Sequence, residues 1–81
     1  MPKLRVLSGR EVLTILRGFG FQEFAQRCSH VKVHRVLEGG RTQTLTVPNH
    51  DEIDHGTLHA IYRQACRFIP EQELRAKFFS G

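Results

Sequence analysis

The sequence predicts a small α+β fold made of one helix, a three-stranded antiparallel sheet, a second helix and a short third helix. Three observations support this prediction. Apolar residues recur at helical intervals near both ends of the chain, the middle alternates between apolar and polar residues, and turn residues separate the segments. Because two or three helices cannot cover both faces of a three-stranded sheet, we expect one face to stay open to solvent or a partner.

The first helix is predicted from Gly9 to Arg17. Ser8 and Glu11 have the spacing of a capping box, in which the serine hydroxyl accepts from a first-turn amide and the glutamate reaches back. Apolar residues then recur at helical intervals, and Gly18 and Gly20 provide the stop.

Three strands are predicted next, from Phe21 to Arg27, from His30 to Leu37 and from Arg41 to Val47. Residues 28–29, C-S, make a tight turn between the first two strands. Residues 38–40, E-G-G, are typical of a hairpin turn between the second and the third.

The second strand has two chemically different faces. Alternation places Val31 and Val33 on one face together with Arg35. The opposite face carries His30, Lys32, His34 and Val36. The faces of the first strand are ambiguous, because Phe21 and Phe24 have opposite parity.

Two helices complete the chain. The first of them is predicted from Thr57 to Cys66, with Asp54 or Thr57 as its cap. Pro70 suits the first turn of the last helix, whose inner face carries Leu74, Phe78 and Phe79. No repeat and no linker divides the sequence, so residues 1–81 are expected to form a single domain.

The basic excess lies in the first half of the chain. The 81 residues contain 12 Lys and Arg against 8 Asp and Glu, for a formal charge of +4. Residues 1–41 account for +5 and residues 42–81 for −1. A one-sided, arginine-rich field favours a polyanionic partner, although an ordinary solvated surface has the same appearance.

Composition also excludes several classes of protein. No apolar run approaches the ~20 residues that a membrane-spanning helix needs. The first residues lack the apolar core of a signal peptide, and 2 cysteines are too few for a disulfide framework. We therefore expect a cytoplasmic protein without a membrane anchor.

Among the 5 histidines, His30 is the best placed for chemistry. An exposed imidazole beside Lys32 suits proton transfer, although a lone surface histidine is the plainer interpretation. His30 and His34 lie about 13 Å apart along a strand, too far to share a metal ion. His55 and His59 have no third ligand at a convincing spacing, so neither a metal nor a cofactor is predicted.

Four short segments match motifs that occur together in one family. Residues 16–21 follow L-x-x-x-G-F, and residues 28–30, C-S-H, fall where that family has G-S-H. Residues 46–50, T-V-P-N-H, are similar to its V-x-V-P-x-H, and residues 56–65 to its G-T-L-x-x-I-x-x-Q-A. In this order and spacing, the segments resemble the HicA toxins, small messenger-RNA interferases of bacterial type II toxin–antitoxin systems.

The resemblance implies a fold like that of the double-stranded-RNA-binding domain and a metal-independent ribonuclease activity on messenger RNA. It implies that the histidine of the G-S-H motif, here His30, is the catalytic residue. It also implies a cognate antitoxin of the HicB type that blocks the active face. We expect the free chain to be a monomer.

Several residues near His30 are candidates for binding RNA: Arg27, Ser29, Lys32, Arg35 and Arg41. The cations of this set are expected to stabilise the negative charge that develops on the phosphate, and the Ser29 hydroxyl to donate to a phosphate oxygen. One histidine cannot act as acid and as base in a single step. His34 and His50 are both candidates for the second role.

Cys28 departs from the family pattern, which has glycine at that position. If the turn requires a positive φ angle, a cysteine there is strained. Cys28 therefore keeps open a decayed toxin that retains only antitoxin binding. The charge distribution leaves open a second alternative to a ribonuclease, a non-catalytic RNA-binding module of the same fold.

Overall fold

The three helices and the three-stranded sheet lie where the hydrophobic pattern predicts them. The structure, a computed structural model, describes residues 2–80. Its elements are β1 (Lys3–Leu4), α1 (Gly9–Gly18), β2 (Gln22–Arg27), β3 (His30–Val36), β4 (Thr42–Pro48), α2 (His55–Ala65), α3 (Glu71–Phe78) and β5 (Phe79–Ser80). Strands β2, β3 and β4 form an antiparallel sheet with β3 in the centre. The predicted α+β class and the order of its elements are confirmed.

The helix starts follow from their caps. The N–H of Glu11 donates to Oγ of Ser8 at 3.0 Å, and the N–H of Ser8 donates to Oε1 of Glu11 at 2.9 Å. Helix α2 begins at His55, two residues before the predicted start, because Asp54 accepts from the N–H of Thr57 at 3.1 Å. Within residues 2–80, no helix is long and apolar enough to cross a membrane.

The sheet is covered on one face only. Val31, Val33, Leu45 and Val47 are buried beneath the helices. The helices contribute their own apolar stripes to this core, which contains Val12, Leu13, Leu16, Leu58, Ile61, Tyr62, Ala65, Leu74 and Phe78. The opposite side of the sheet has no covering element among the described residues, so the predicted open face is confirmed.

The two ends of the described chain pair with each other. Strands β1 and β5 are antiparallel, with Lys3 opposite Ser80 and Leu4 opposite Phe79. The guanidinium of Arg5 extends the contact by donating to the carbonyl of Lys77 at 2.8 Å. Sequence reasoning missed this pair because each strand has only 2 residues, too few for alternation to be visible.

Arg35 joins the sheet to the ends of two helical segments. Its Nη1 donates to the carbonyl of Phe19 at 2.9 Å, and its Nη2 donates to the carbonyl of Phe68 at 2.7 Å. Its Nε donates to Oε1 of Gln43 at 2.9 Å, and the guanidinium lies 4.9 Å from the centre of the Phe21 ring. A half-buried charge is stable here because each of its three nitrogens donates a hydrogen bond and the guanidinium lies over an aromatic ring.

Helix α1 begins in direct backbone contact with the end of β4. The N–H of Gly9 donates to the carbonyl of His50 at 2.8 Å. A side chain at Gly9 would overlap the carbonyl oxygen of Pro48 and place its Cβ 2.6 Å from Cα of Asn49. Only glycine permits so close an approach.

We predict that Gly9→Ala lowers the free energy of unfolding by about 1–3 kcal/mol, because the methyl group forces the two backbones apart. Gly18→Ala is the matched control in the same helix, since nothing lies within 4 Å of its Cβ position. That change is expected to raise the free energy of unfolding by about 0.5–1 kcal/mol. Urea unfolding followed by circular dichroism measures both, and equal effects would contradict the prediction.

Candidate functional site

The open face of the sheet is basic and polar. Residues opposite each other in antiparallel strands share a face. By this register we define the open face by its exposed and half-buried residues, which leaves out the buried Pro48: Gln22, Phe24, Ala25, Arg27, His30, Lys32, His34, Val36, Thr42, Thr44 and Thr46. None of these residues is acidic. The face is therefore chemically suited to a polyanion rather than to a cation.

A bulge in β2 decides which residues reach the open face. The pairing of β2 with β3 shifts between Glu23 and Ala25, so that Phe24 is an extra residue without a partner. Plain alternation from the buried Phe21 would turn Arg27 toward the helices. The bulge reverses the parity, and Arg27 lies opposite His30. This resolves the ambiguity that the sequence left in the first strand.

His30 lies at the end of the sheet where β2 turns into β3. It is the first residue of β3 and is exposed. A shallow depression of about 610 Å³ lies beside it, lined by Ala25, Gln26, Arg27, Cys28, His30, Lys32 and Thr46. An imidazole in this position is accessible to a polymer lying across the sheet.

A second imidazole, that of His50, lies at the same turn. Nε2 of His50 and Oγ of Ser29 share a hydrogen bond and are 3.2 Å apart. The backbone is fixed there as well, because the N–H of Asn49 donates to the carbonyl of Ser29 at 2.6 Å. Ser29 directly precedes His30 in the chain. The same turn is therefore followed by one histidine, His30, and is hydrogen-bonded to a second one, His50, through the Ser29 hydroxyl.

An ionised carboxylate, that of Asp54, caps helix α2 a few residues after His50. The Thr57 hydroxyl donates to Oδ1 of Asp54 at 2.7 Å, and this bond is the largest cause that lowers the pKa of the Asp54 carboxyl. The N–H of Thr57 lowers that pKa further, and a positive charge on His50 adds a smaller effect. The Asp54 carboxyl therefore stays ionised to lower pH than an ordinary aspartate.

The predicted RNA-binding residues do not all lie together. Arg27 and Lys32 are exposed on the open face near His30, and Ser29 turns toward His50. Arg41 is exposed at the opposite end of the sheet, where its carbonyl accepts from the N–H of Leu37 at 2.7 Å. Strand β3 runs for seven residues from His30 to that end, which corresponds to roughly 20 Å.

The structure does not bring Arg35 to the open face. Arg35 follows the buried Val31 and Val33 on the helix-covered side, and its guanidinium is engaged by Phe19, Phe68 and Gln43. Its charge is therefore structural, and we leave it out of the proposed RNA-binding set. A count of charged residues does not distinguish one arginine from another. Alternation along β3 does, because it places Arg35 and Lys32 on opposite faces of the sheet.

The remaining histidines lie elsewhere. His34 stacks on Phe24 with 4.2 Å between ring centres. His55 and His59 belong to α2, and His59 stacks on Tyr62. Within residues 2–80, no group of three or more His, Cys, Asp or Glu side chains could hold a metal ion.

Cys28 occupies the left-handed conformation that glycine favours. Its φ is +55°, and it is the one non-glycine residue among those described with a positive φ. The Cys28 side chain is exposed, and the backbone carbonyl of Cys28 accepts from Nε2 of Gln26 at 3.1 Å. A cysteine in this conformation carries a cost of about 1–2 kcal/mol.

We predict that Cys28→Gly raises the free energy of unfolding by about 0.5–1 kcal/mol, since removal of the strain exceeds the extra entropy of the unfolded glycine. Cys66→Ala is the control for loss of a thiol. Cys66 packs against the core, and its replacement is expected to destabilise the fold. A stability loss in Cys28→Gly, measured by urea unfolding, would contradict the assignment of strain.

Comparison with known proteins identifies a family for this chain. A family model described as HicA toxin of bacterial toxin-antitoxin matches residues 9–65, which is more than half of the chain. The match extends from the first residue of α1 to the last residue of α2, and so includes the whole open face. Searches of curated proteins and of solved structures return no match. The chain belongs to the HicA family and is a toxin of a bacterial toxin–antitoxin system.

Proposed function

We propose that this toxin is an endoribonuclease that cleaves messenger RNA on the open face, with His30 as a catalytic residue. The observation that carries the proposal is the pair of imidazoles at one turn. His30 begins β3, and His50 is hydrogen-bonded to Ser29, the neighbour of His30 in the chain. Ribonuclease activity on messenger RNA is also what the resemblance to the family implies.

Two imidazoles at one site suit cleavage by the RNA's own 2′-hydroxyl. One imidazole accepts the proton of that hydroxyl as its oxygen bonds to phosphorus. The other donates a proton to the 5′-oxygen as its bond to phosphorus breaks. The products are a 2′,3′-cyclic phosphate and a free 5′-hydroxyl. His30 and His50 divide these two tasks in our proposal.

His50 suits the second role better than His34 does. His34 lies four residues along β3 from His30, about 13 Å away, and its ring stacks on Phe24. His50 is held at the turn by Ser29 and by the backbone bond from Gly9. Its orientation therefore depends on contacts that the rest of the fold fixes.

The charges of the open face support binding of the phosphate backbone. Arg27 lies directly opposite His30, and Lys32 lies two residues further along the same face. These cations suit the negative charge that develops on phosphorus in the transition state. Strand β2 contains one carboxylate, that of Glu23. It lies on the covered face, opposite Val33, and pairs with Arg17 at 2.8 Å. We assign Arg41 to the backbone of more distant nucleotides.

We further propose that a HicB-type antitoxin inhibits the enzyme by covering the open face. A toxin of a toxin–antitoxin system has a cognate antitoxin, and this face is the side of the sheet that no described element covers. An antitoxin bound there would bury His30 and exclude RNA.

We predict that His30→Ala and His50→Ala each lower the rate of single-turnover RNA cleavage by about 10²-fold or more, the usual contribution of one acid–base group. The control is His59→Ala. His59 is exposed on α2, away from the open face, and its replacement is expected to leave the rate unchanged. Cleavage is followed on a gel, and unfolding curves show that the variants are folded.

Two outcomes of this experiment contradict the proposal. Cleavage by His30→Ala at the parental rate would exclude a catalytic role for that residue. RNA that the parent chain binds in a salt-sensitive manner and leaves intact would favour the non-catalytic RNA-binding module instead.

A further inference from the structure

Phe24 stands apart from the other phenylalanines of the chain. It is 49% exposed, whereas the other five are buried or half-buried. Its ring lies on the open face, on the same side of the sheet as His30. A ligand that covers this ring would remove apolar area from water, which favours binding.

The surrounding structure fixes the direction of the Phe24 ring. Phe24 is the extra residue of the β2 bulge, and bulges commonly redirect a side chain beside a functional site. The ring stacks on His34 with 4.2 Å between centres and 16° between planes. His34 thus supports the ring, and about half of the Phe24 side chain stays accessible.

The charges around Phe24 point to a nucleic acid as the ligand. Lys32 lies on the open face between His34 and His30, and Arg27 lies beyond it. The threonines of β4 add hydroxyl donors to this face: Thr42, Thr44 and Thr46. An aromatic ring flanked by cations and hydroxyls, without a carboxylate on the face, matches the chemistry of a base and its phosphates.

We propose that Phe24, supported by His34, is a stacking platform for one unpaired base of the RNA substrate. The proposal rests on the ribonuclease function and narrows its substrate to single-stranded RNA. A base in a duplex already stacks on its neighbours and does not offer its face to a side chain. About 13 Å of strand separate His34 from His30, so the stacked base lies a short run of nucleotides from the cleaved phosphate.

Binding measurements test the platform without cleavage. In the His30→Ala background, Phe24→Leu keeps an apolar side chain but removes the ring, and Phe24→Tyr keeps the ring. We expect Phe24→Leu to weaken binding of a short single-stranded RNA about tenfold, which is typical of one base–aromatic stack, and Phe24→Tyr to bind like its parent. Val6→Ala, which removes another exposed apolar side chain but lies outside the open face, is the matched control and leaves affinity unchanged.

Fluorescence gives a direct readout of stacking. The chain contains no tryptophan, so Phe24→Trp in the His30→Ala background introduces a single indole at the proposed platform. Single-stranded RNA is expected to quench its emission, and a duplex of the same sequence is expected to leave it unchanged. Unfolding curves confirm that each variant is folded.

The outcomes separate this inference from the proposed function. If the parent chain cleaves RNA while Phe24→Leu binds as tightly as its parent and the indole is not quenched, the platform is excluded and the ribonuclease stands. Equal quenching by the duplex also overturns the single-stranded preference. If the parent chain neither binds nor cleaves RNA, both proposals fail.

Discussion

The backbone contact between Gly9 and the end of β4 determines where the second imidazole of the site lies. Gly9 donates to the carbonyl of His50, and the absence of a side chain lets α1 touch Pro48 and Asn49. Asn49 in turn donates to Ser29, so the helix, the edge strand and the β2–β3 turn form one connected unit. The ring of His50 then reaches Ser29 beside His30. The chemistry that we propose therefore depends on a helix that starts with glycine.

The fold also sorts its charges between the two sides of the sheet. Arg35 lies on the covered side, where it holds the ends of two helical segments and stacks on Phe21. Lys32 lies on the open side because strand parity alternates. Arg27 reaches the open side because of the bulge at Phe24, which also presents an aromatic ring there. A single extra residue in β2 thus supplies both a cation beside His30 and an exposed ring.

Local patterns were sufficient to predict the helices and the three-stranded sheet, but not the long-range contacts around His30. The capping box at Ser8, the alternation in β3 and the glycine stop of α1 depend on near neighbours in sequence, and they predicted the fold correctly. The contact of Gly9, the place of His50 and the bonds of Arg35 depend on residues distant in the chain. No periodicity encodes such contacts. The turn at Cys28 lies between these two cases. The family motif indicated a position that favours glycine, but only the structure shows the positive φ of Cys28.

Cleavage of an RNA whose scissile nucleotide carries a 2′-deoxyribose tests most directly whether two imidazoles use the RNA's own hydroxyl. The site of cleavage is first mapped on an unmodified strand, and only that sugar is then changed. We expect the modified strand to bind normally and to stay intact, while the unmodified strand yields a 2′,3′-cyclic phosphate and a 5′-hydroxyl. Cleavage of the modified strand at the parental rate would show that water attacks phosphorus instead, and would contradict the chemistry that we assign to His30 and His50.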